Sequence, residues 1–265
     1  MEVIVLAEER YTRIMTILKD QGFAKVDDLA QALKVSDMTI RRDLDRCQER
    51  GILQRCHGGA LMNRPEISFE DKSGENCEIK KSIARKAASF VEDGMTVFLD
   101  AGTTTYELAQ LIRNIPRLTV VTDDVHIMYS LLGSPVELIC IGGVAHKKTG
   151  CTLGRFSEQM AEQMHFDISF IGTNVVDEEF CSMTPTLEKM FFKRLVLRHS
   201  GLCYLVADHS KFNKKALYMI DSLDKFSGVI TDYAFNDDEQ RLISEKKITV
   251  IAVENNESPY ERMNA

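Results

Sequence analysis

Seven short apolar runs, separated by stretches of helical periodicity, constrain this chain more than any other feature of its sequence. They span residues 96–100, 118–122, 136–141, 168–172, 202–207, 228–231 and 248–253. Each is nearly continuous in apolar residues, which is the pattern of strands covered on both faces rather than on one. Helices are expected between them at 105–112, 125–132, 157–164, 187–200 and 237–246, with a further helix at 78–91 ahead of the first strand. Strand and helix in alternation predict an α/β fold: a Rossmann-like, mostly parallel sheet with helices on both faces, occupying residues 78–253.

The first 60 residues obey a different rule. Helices are expected at 8–19, where Tyr11, Ile14, Met15 and Leu18 share a face, then at 26–33 and 37–50. Lys34, Val35 and Ser36 make a tight turn, Ser36 caps the third helix, and Gly22 and Gly51 follow helix ends. Residues 52–60 read as a small hairpin ending in Gly58-Gly59. Helix, helix, turn, helix and hairpin in this order are the layout of a winged helix-turn-helix. On the third helix Ile40, Leu44 and Cys47 share the inward face, while Met38, Arg42, Asp45, Arg46 and Glu49 lie opposite. Ser36, Thr39 and Arg41 sit at its N-terminal end, the end that enters a major groove; there arginine bonds guanine acceptors and hydroxyls or amides hold phosphates. An isolated helix of this kind would serve equally as a solvated surface, and it is the ordered wing layout that favours DNA. Residues 61–77, polar and carrying Pro65, Ser73 and Gly74, are expected to be a linker, and 254–265 a polar tail.

Charge and cysteine usage exclude several classes. The net charge is -7, which argues against a general polyanion binder. Residues 1–60 hold ten Lys/Arg against ten Asp/Glu, so the remainder carries the whole deficit and the balance tilts toward DNA at the N-terminal end. There is no apolar run of about 18 residues and no basic, cleavable leader. No membrane association and a cytoplasmic location are therefore expected. The seven cysteines are odd in number and form no C-x-x-C pair, so they are expected as reduced core fillers, Cys140 among them, with no metal and no cofactor.

A ligand site is suggested at the strand ends. Asp100, Ala101, Gly102, Thr103, Thr104 and Thr105 follow one strand and open a helix, where backbone amides favour an anion. Thr122-Asp123, Gly142-Gly143, Gly172-Thr173-Asn174 and Asp208 to Lys211 end other strands. Ligands of open α/β sheets lie at such ends, although loops there are polar in any case.

The string Val35-Ser36, Thr39-Ile40-Arg41-Arg42-Asp43-Leu44, followed by Gly51 and Arg55 to Ala60, closely resembles the DeoR family of repressors. Asp100 to Thr105, Gly142-Gly143, Gly154, 167–172, Thr184, Lys193 and the Ala207-Asp208, Ser210-Lys211-Phe212 segment match that family's sensor domain, so the resemblance covers nearly the whole chain. It implies DNA contacts from Ser36, Thr39, Arg41 and Arg42. Met38 and Arg46 on the same helix are added to the candidates, as are Arg55 and His57 of the wing, where His57 serves equally well as a turn residue. The resemblance implies a sensor domain similar to ribose-5-phosphate isomerase, a phosphorylated sugar as effector with Gly102 to Thr105 on its phosphate, and Lys193 and Lys211 as counter-charges. Two departures stand out: Asp123-Asp124 where the family often has Asn after the threonine, and a replaced glycine near Cys181, Ser182 and Met183. The expected partners are double-stranded operator DNA and further copies of the chain, as a homodimer or homotetramer. The competing reading is a sugar-phosphate isomerase-like enzyme carrying a DNA-binding domain, with Asp100, Asp123, Asp208, Glu188 and Lys193 as acid–base groups. A nucleotide-binding regulator ranks lower, because G-x-G-x-x-G and the Walker pattern are missing. No catalytic residue is assigned.

Overall fold

A computed structural model of the chain describes residues 7–49, 52–56, 58–62 and 67–253. Gly51, Pro65, His57 and the 254–265 tail lie outside the described residues. Three helices, α1 (Ala7–Gln21), α2 (Val26–Leu33) and α3 (Asp37–Glu49), enclose Ile14, Leu18, Val26, Leu29, Leu33, Ile40, Leu44 and Cys47. The turn between α2 and α3 works because Lys34 takes a left-handed conformation (φ 53°), which lets Val35 N–H close on Ala30 O at 3.1 Å. Short strands β1 (Phe23–Lys25), β2 (Leu53–Cys56) and β3 (Gly59–Met62) form an antiparallel sheet in the order β1-β3-β2. One charged pair ties this unit together: Arg10 of α1 grips the buried carboxylate of Asp43 on α3. Asp43 in the Arg41-Arg42-Asp43 string therefore faces inward and orients α3.

The larger unit begins with α4 (Phe69–Gly74) and α5 (Cys77–Ala88). Seven strands then form one sheet, each pair of neighbours parallel: β4 (Thr96–Leu99), β5 (Thr119–Thr122), β6 (Glu137–Cys140), β9 (Phe166–Gly172), β12 (Ser200–Val206), β14 (Gly228–Thr231) and β15 (Val250–Ala252). All seven expected strands are present. Burial explains why they read so clearly. Val97, Leu99, Val120, Phe170 and Val206 enter the core beneath one face, while Phe98, Val121, Ile171 and Leu205 enter the other. The first core is closed by α5, α6 (Thr103–Ile112) and α7 (Val125–Leu131). The second is closed by α8 (Arg155–Glu162) and α9 (Leu187–Arg198), with α10 (Asp237–Lys246) packed on it.

Strand order is β15-β14-β12-β9-β4-β5-β6. The chain runs outward from β4 through β5 to β6, then returns to place β9 on the other edge of β4. Such a reversal leaves a crevice at the carboxyl ends of the two central strands. Several smaller elements are additional to the sequence reading: the hairpin β7 (Val144–His146) with β8 (Cys151–Leu153), and the sheet β10 (Val175–Val176), β11 (Cys181–Thr184) and β13 (Tyr218–Ser222). Helix α4 falls in the stretch expected as a linker, capped by Ser68, whose Oγ accepts from Asp71 N–H at 3.1 Å. Cys140, expected in the core, is exposed on edge strand β6, whereas Cys47, Cys151 and Cys203 are buried. No helix among the described residues is long and apolar enough to cross a membrane.

Removing one member of a largely buried charged pair strands the other. Arg10→Met is expected to lower the stability of the N-terminal unit by roughly 1–3 kcal/mol, read as a shift of its urea midpoint. An unchanged midpoint would show that Asp43 does not depend on Arg10.

Candidate functional site

On α3 the side chains of Ser36, Met38, Arg41, Arg42 and Arg46 are exposed, and Thr39 is half-buried. Ser36 Oγ lies 3.0 Å from Thr39 Oγ1 and accepts from Thr39 N–H at 3.3 Å, so these two hydroxyls fix the first turn. Exposed Met38, Arg41, Arg42 and Arg46 give α3 an apolar and cationic surface. Arg55 of the wing is turned back toward α3: its backbone N–H donates to Gln48 Oε1 at 2.9 Å, and Nε lies 3.7 Å from Asp45 Oδ1. Its Nη1 is buried without a partner.

In the larger unit a cavity opens at the carboxyl ends of β4, β9 and β12. Its walls bring together Asp100, Gly102, Thr103, Thr104, Thr105, Asp123, Lys193, Asp208 and Lys211 from the sequence-derived set. At its centre Asp100 Oδ2 accepts from Lys193 Nζ at 2.5 Å and from Gly172 N–H at 2.8 Å, while Lys193 also donates to Gly172 O at 2.7 Å. The bonds join the end of β4 to the end of β9 across the strand-order reversal. Above them the first turn of α6 leaves the amides of Thr103, Thr104 and Thr105 without intrahelical acceptors. The Gly102 amide is already taken by Asp124 Oδ2 at 3.0 Å. The Thr105 hydroxyl turns back onto Asp100 O (2.6 Å) and Gly102 O (2.9 Å). In this loop, then, the Gly102 amide and the Thr105 hydroxyl are committed within the protein, while the amides of Thr103, Thr104 and Thr105 have no intrahelical acceptor.

Three expected site residues lie outside the cavity lining, each for a structural reason. Thr122 is fully buried and donates to Leu99 O at 2.7 Å, linking β5 to β4. Gly142 O accepts from Ser157 Oγ at 2.6 Å. At Gly143 (φ 155°) a Cβ would fall 2.2 Å from Ser157 Oγ and 2.6 Å from Leu153 O, so the glycine permits close packing there.

Other residues join the site that strand-end logic did not find. Lys189 lies one turn before Lys193 on α9, and both are buried on the helix face that also carries Phe192 and Val196. Two lysines spaced by four on an apolar face were the available signal. Ile67, Phe69 and Lys72, in and before α4, form another wall. Phe69 stacks on His126 (3.7 Å between centroids), and its N–H donates to Lys148 O. Lys80 of α5, itself buried, donates to Lys72 O and to Glu75 O (2.6 Å), closing the C-terminal end of α4. Burial pushes the Lys80 ammonium below its usual pKa, partly offset by Asp208. Burial also raises the Asp208 carboxyl, but Lys211, Ser210 and Lys80 outweigh it and hold it below the usual range. Burial raises Asp124 despite the amides of Ile127 and His126 and the His126 ring. Lys215 lines the cavity as well and reaches out of it, with Nζ 5.1 Å from the centroid of the Phe23 ring on β1. Among the described residues no group of three or more His, Cys, Asp or Glu side chains could hold a metal ion.

A winged helix-turn-helix joined to an α/β unit whose cavity is lined by amides and lysines defines a ligand-sensing DNA-binding regulator. A sequence model of the DeoR-like helix-turn-helix domain matches residues 10–66, and one of the DeoR C-terminal sensor domain matches residues 75–233. The chain belongs to the DeoR family of transcription regulators. The HTH-type transcriptional regulator GlpR of Haloferax volcanii is 32% identical over 251 residues, covering 93% of this chain and 98% of its own. A lactose phosphotransferase system repressor of Staphylococcus aureus is 33% identical over 241 residues, covering 88% and 94%. Among solved structures, a ribose 5-phosphate isomerase from Methanocaldococcus jannaschii aligns with 53% of this chain and 56% of its own at 17% identity and a TM-score of 0.40, a partial likeness that has no bearing on function.

Lys193→Met leaves the Asp100 carboxylate buried without its ammonium partner. The loss is expected to be about 3–5 kcal/mol of stability in the ligand-free protein at neutral pH, measured by urea unfolding. An unaltered unfolding curve would contradict the assigned pairing.

Proposed function

We propose that this regulator is a repressor of a carbohydrate-utilisation operon whose hold on operator DNA is set by a phosphorylated sugar bound in the β4–β9 cavity. The observation that carries this reading is the cavity itself, which joins three open amides at a helix N-terminus to a set of lysines at the strand-order reversal. The phosphate would lie against Thr103, Thr104 and Thr105, with lysines as counter-charge and the carboxyls left to the sugar. The names of the relatives, a lactose phosphotransferase system repressor among them, support the carbohydrate class.

On this reading the ligand is bound and not turned over. Asp100 and Lys193 are tied to each other and to Gly172, so neither is free to carry a proton to and from a substrate. The protein would act in the cytoplasm on chromosomal DNA, as a homodimer or homotetramer that presents two recognition helices to two half-sites. Exposed apolar side chains on α7 (Val125 and Tyr129), with Leu132 just beyond it, and on α8 (Phe156) support assembly with further copies.

Coupling between ligand and DNA needs a part that both sites bias. Two connections qualify. Helix α4 follows the wing strand β3 in the chain and supplies one wall of the cavity, so a ligand touches the segment that leads to the DNA-binding unit. Lys215 lines the cavity and stands over Phe23, whose ring packs within 2.8 Å of where a Cβ on Gly59 would be, at the base of the wing. A ligand that draws Lys215 inward would release Phe23 and alter the wing. Cation–π contacts of this kind are worth about 0.5–2 kcal/mol, enough to change DNA affinity severalfold.

Arg41→Ala and Arg42→Ala are each expected to weaken operator binding about tenfold or more with an unchanged melting temperature, measured by fluorescence anisotropy on DNA upstream of the gene. Wild-type affinity in both would remove α3 from the interface. Phe23→Leu should leave sugar-phosphate binding intact while blunting its effect on DNA affinity. Full release of DNA from that variant would show that coupling does not pass through Lys215.

A further inference from the structure

One buried carboxyl oxygen at the cavity wall has no hydrogen-bond partner among the described residues. Asp123, at the end of β5, is 2% exposed, lines the cavity, and has a buried Oδ1 that no donor meets. Its backbone is held firmly, because its carbonyl accepts from Thr152 N–H at 2.8 Å and from Thr152 Oγ1 at 3.0 Å. The position is fixed while Oδ1 is left without a donor.

The charged groups around it are already committed. Lys193 of α9 is bonded to Asp100 and to Gly172 O. Asp124, at the start of α7, accepts from Gly102 N–H, His126 N–H and Ile127 N–H. Asp100 at the end of β4 accepts from Lys193 and Gly172. From β8 the cavity receives Cys151. An ionised Asp123 would thus be a buried anion beside two other carboxyls, while Lys193, the ammonium acting on it, is already paired with Asp100, and that arrangement is costly. Burial first, then Asp100 and Asp124, push its proton affinity well up, against smaller pulls from Lys193 and its own backbone N–H.

We propose that Asp123 is a specificity-determining residue of the cavity, a carboxylic acid whose O–H donates to a hydroxyl or carbonyl oxygen on the carbohydrate part of the ligand. The inference rests on the effector reading given above and narrows it. The ligand class becomes a phosphorylated polyhydroxy compound, and aminosugar phosphates are disfavoured, because a ligand ammonium would require Asp123 to ionise.

Asp123→Asn separates the possibilities, since an amide has nearly the same shape, stays neutral and can still donate. Without ligand, the melting temperatures of wild type and Asp123→Asn are compared across pH. An aspartate whose pKa is raised on folding gives stability that is fully present below the unfolded value of about 4 and is lost as pH rises through the folded value. The advantage of Asp123→Asn over wild type should therefore grow steadily with pH above about 4. A difference that stays flat above about pH 5 would mean an ordinary ionised carboxylate and would overturn the proposal. With ligand, calorimetry compares glucose 6-phosphate with glucosamine 6-phosphate, and the corresponding galactose pair. The hydroxyl compound of a pair should bind about tenfold tighter than its amino counterpart, with Asp123→Asn retaining that affinity and Asp123→Ala losing it. Tighter binding of the amino compound, abolished in Asp123→Asn, would overturn the proposal in favour of an ammonium site. Failure of every sugar phosphate to bind wild type would overturn the effector reading and with it the ligand assigned to Asp123, while the melting comparison would still report its proton.

Discussion

The pairing of Asp100 with Lys193, shared with both backbone groups of Gly172, is the interaction on which the larger unit depends. It lies where strand order reverses, just beyond the β4–β9 ladder, and ties together the two loops that diverge there. Satisfying a buried carboxylate there fixes Gly172, and through it the loop that carries Thr173 and Asn174 into the cavity. Asp124 performs a related service, since it caps α7 and holds the Gly102 amide, which aims the first turn of α6. On the proposed reading the phosphate would meet mostly backbone amides and lysines, positioned by Asp100 and Asp124, whose carboxylates are already bonded within the protein. Asp123 breaks that pattern, because its buried Oδ1 has no donor.

A second consequence concerns communication. Helix α4 is held from below by Lys80 and from the side by the Phe69–His126 stack, so it belongs mechanically to the sensor while following the DNA-binding unit in the chain. Within the DNA-binding unit, the Arg10–Asp43 pair ties α3 to α1. A disturbance of Phe23 or α4 would be passed to the recognition helix as a rigid-body change, which suits a switch better than local loosening does.

Much of this was legible in the sequence. The seven sheet strands could be read because burial on both faces makes their residues apolar almost without interruption, and α3 because Ile40, Leu44 and Cys47 keep helical spacing. Elements of two to four residues, such as β7, β8 and β10, contain too few side chains to show a period. Helix α4 was hidden by its polar composition, although Ser68 followed three residues later by Asp71 is a recognisable helix start. Strand-end logic gathered Asp100, Asp123 and Asp208 correctly into one place but also took in Thr122, Gly142 and Gly143, whose chemistry serves packing. Glycine at a strand end signals close approach without saying whether the neighbour is a ligand or, as at Gly143, Ser157 and Leu153. Lys80, Lys189 and Phe69 come from segments distant in the chain, and only the fold brings them to the site.

An occupied cavity should be felt by the connector and the wing. Hydrogen–deuterium exchange of the full-length protein, with and without the sugar phosphate that alters its DNA affinity, tests this directly. Slower exchange is expected in residues 67–74 together with a change at 23–25 and 59–60. Protection confined to 100–105 and 172–175, with α4 and the wing unaltered, would contradict it.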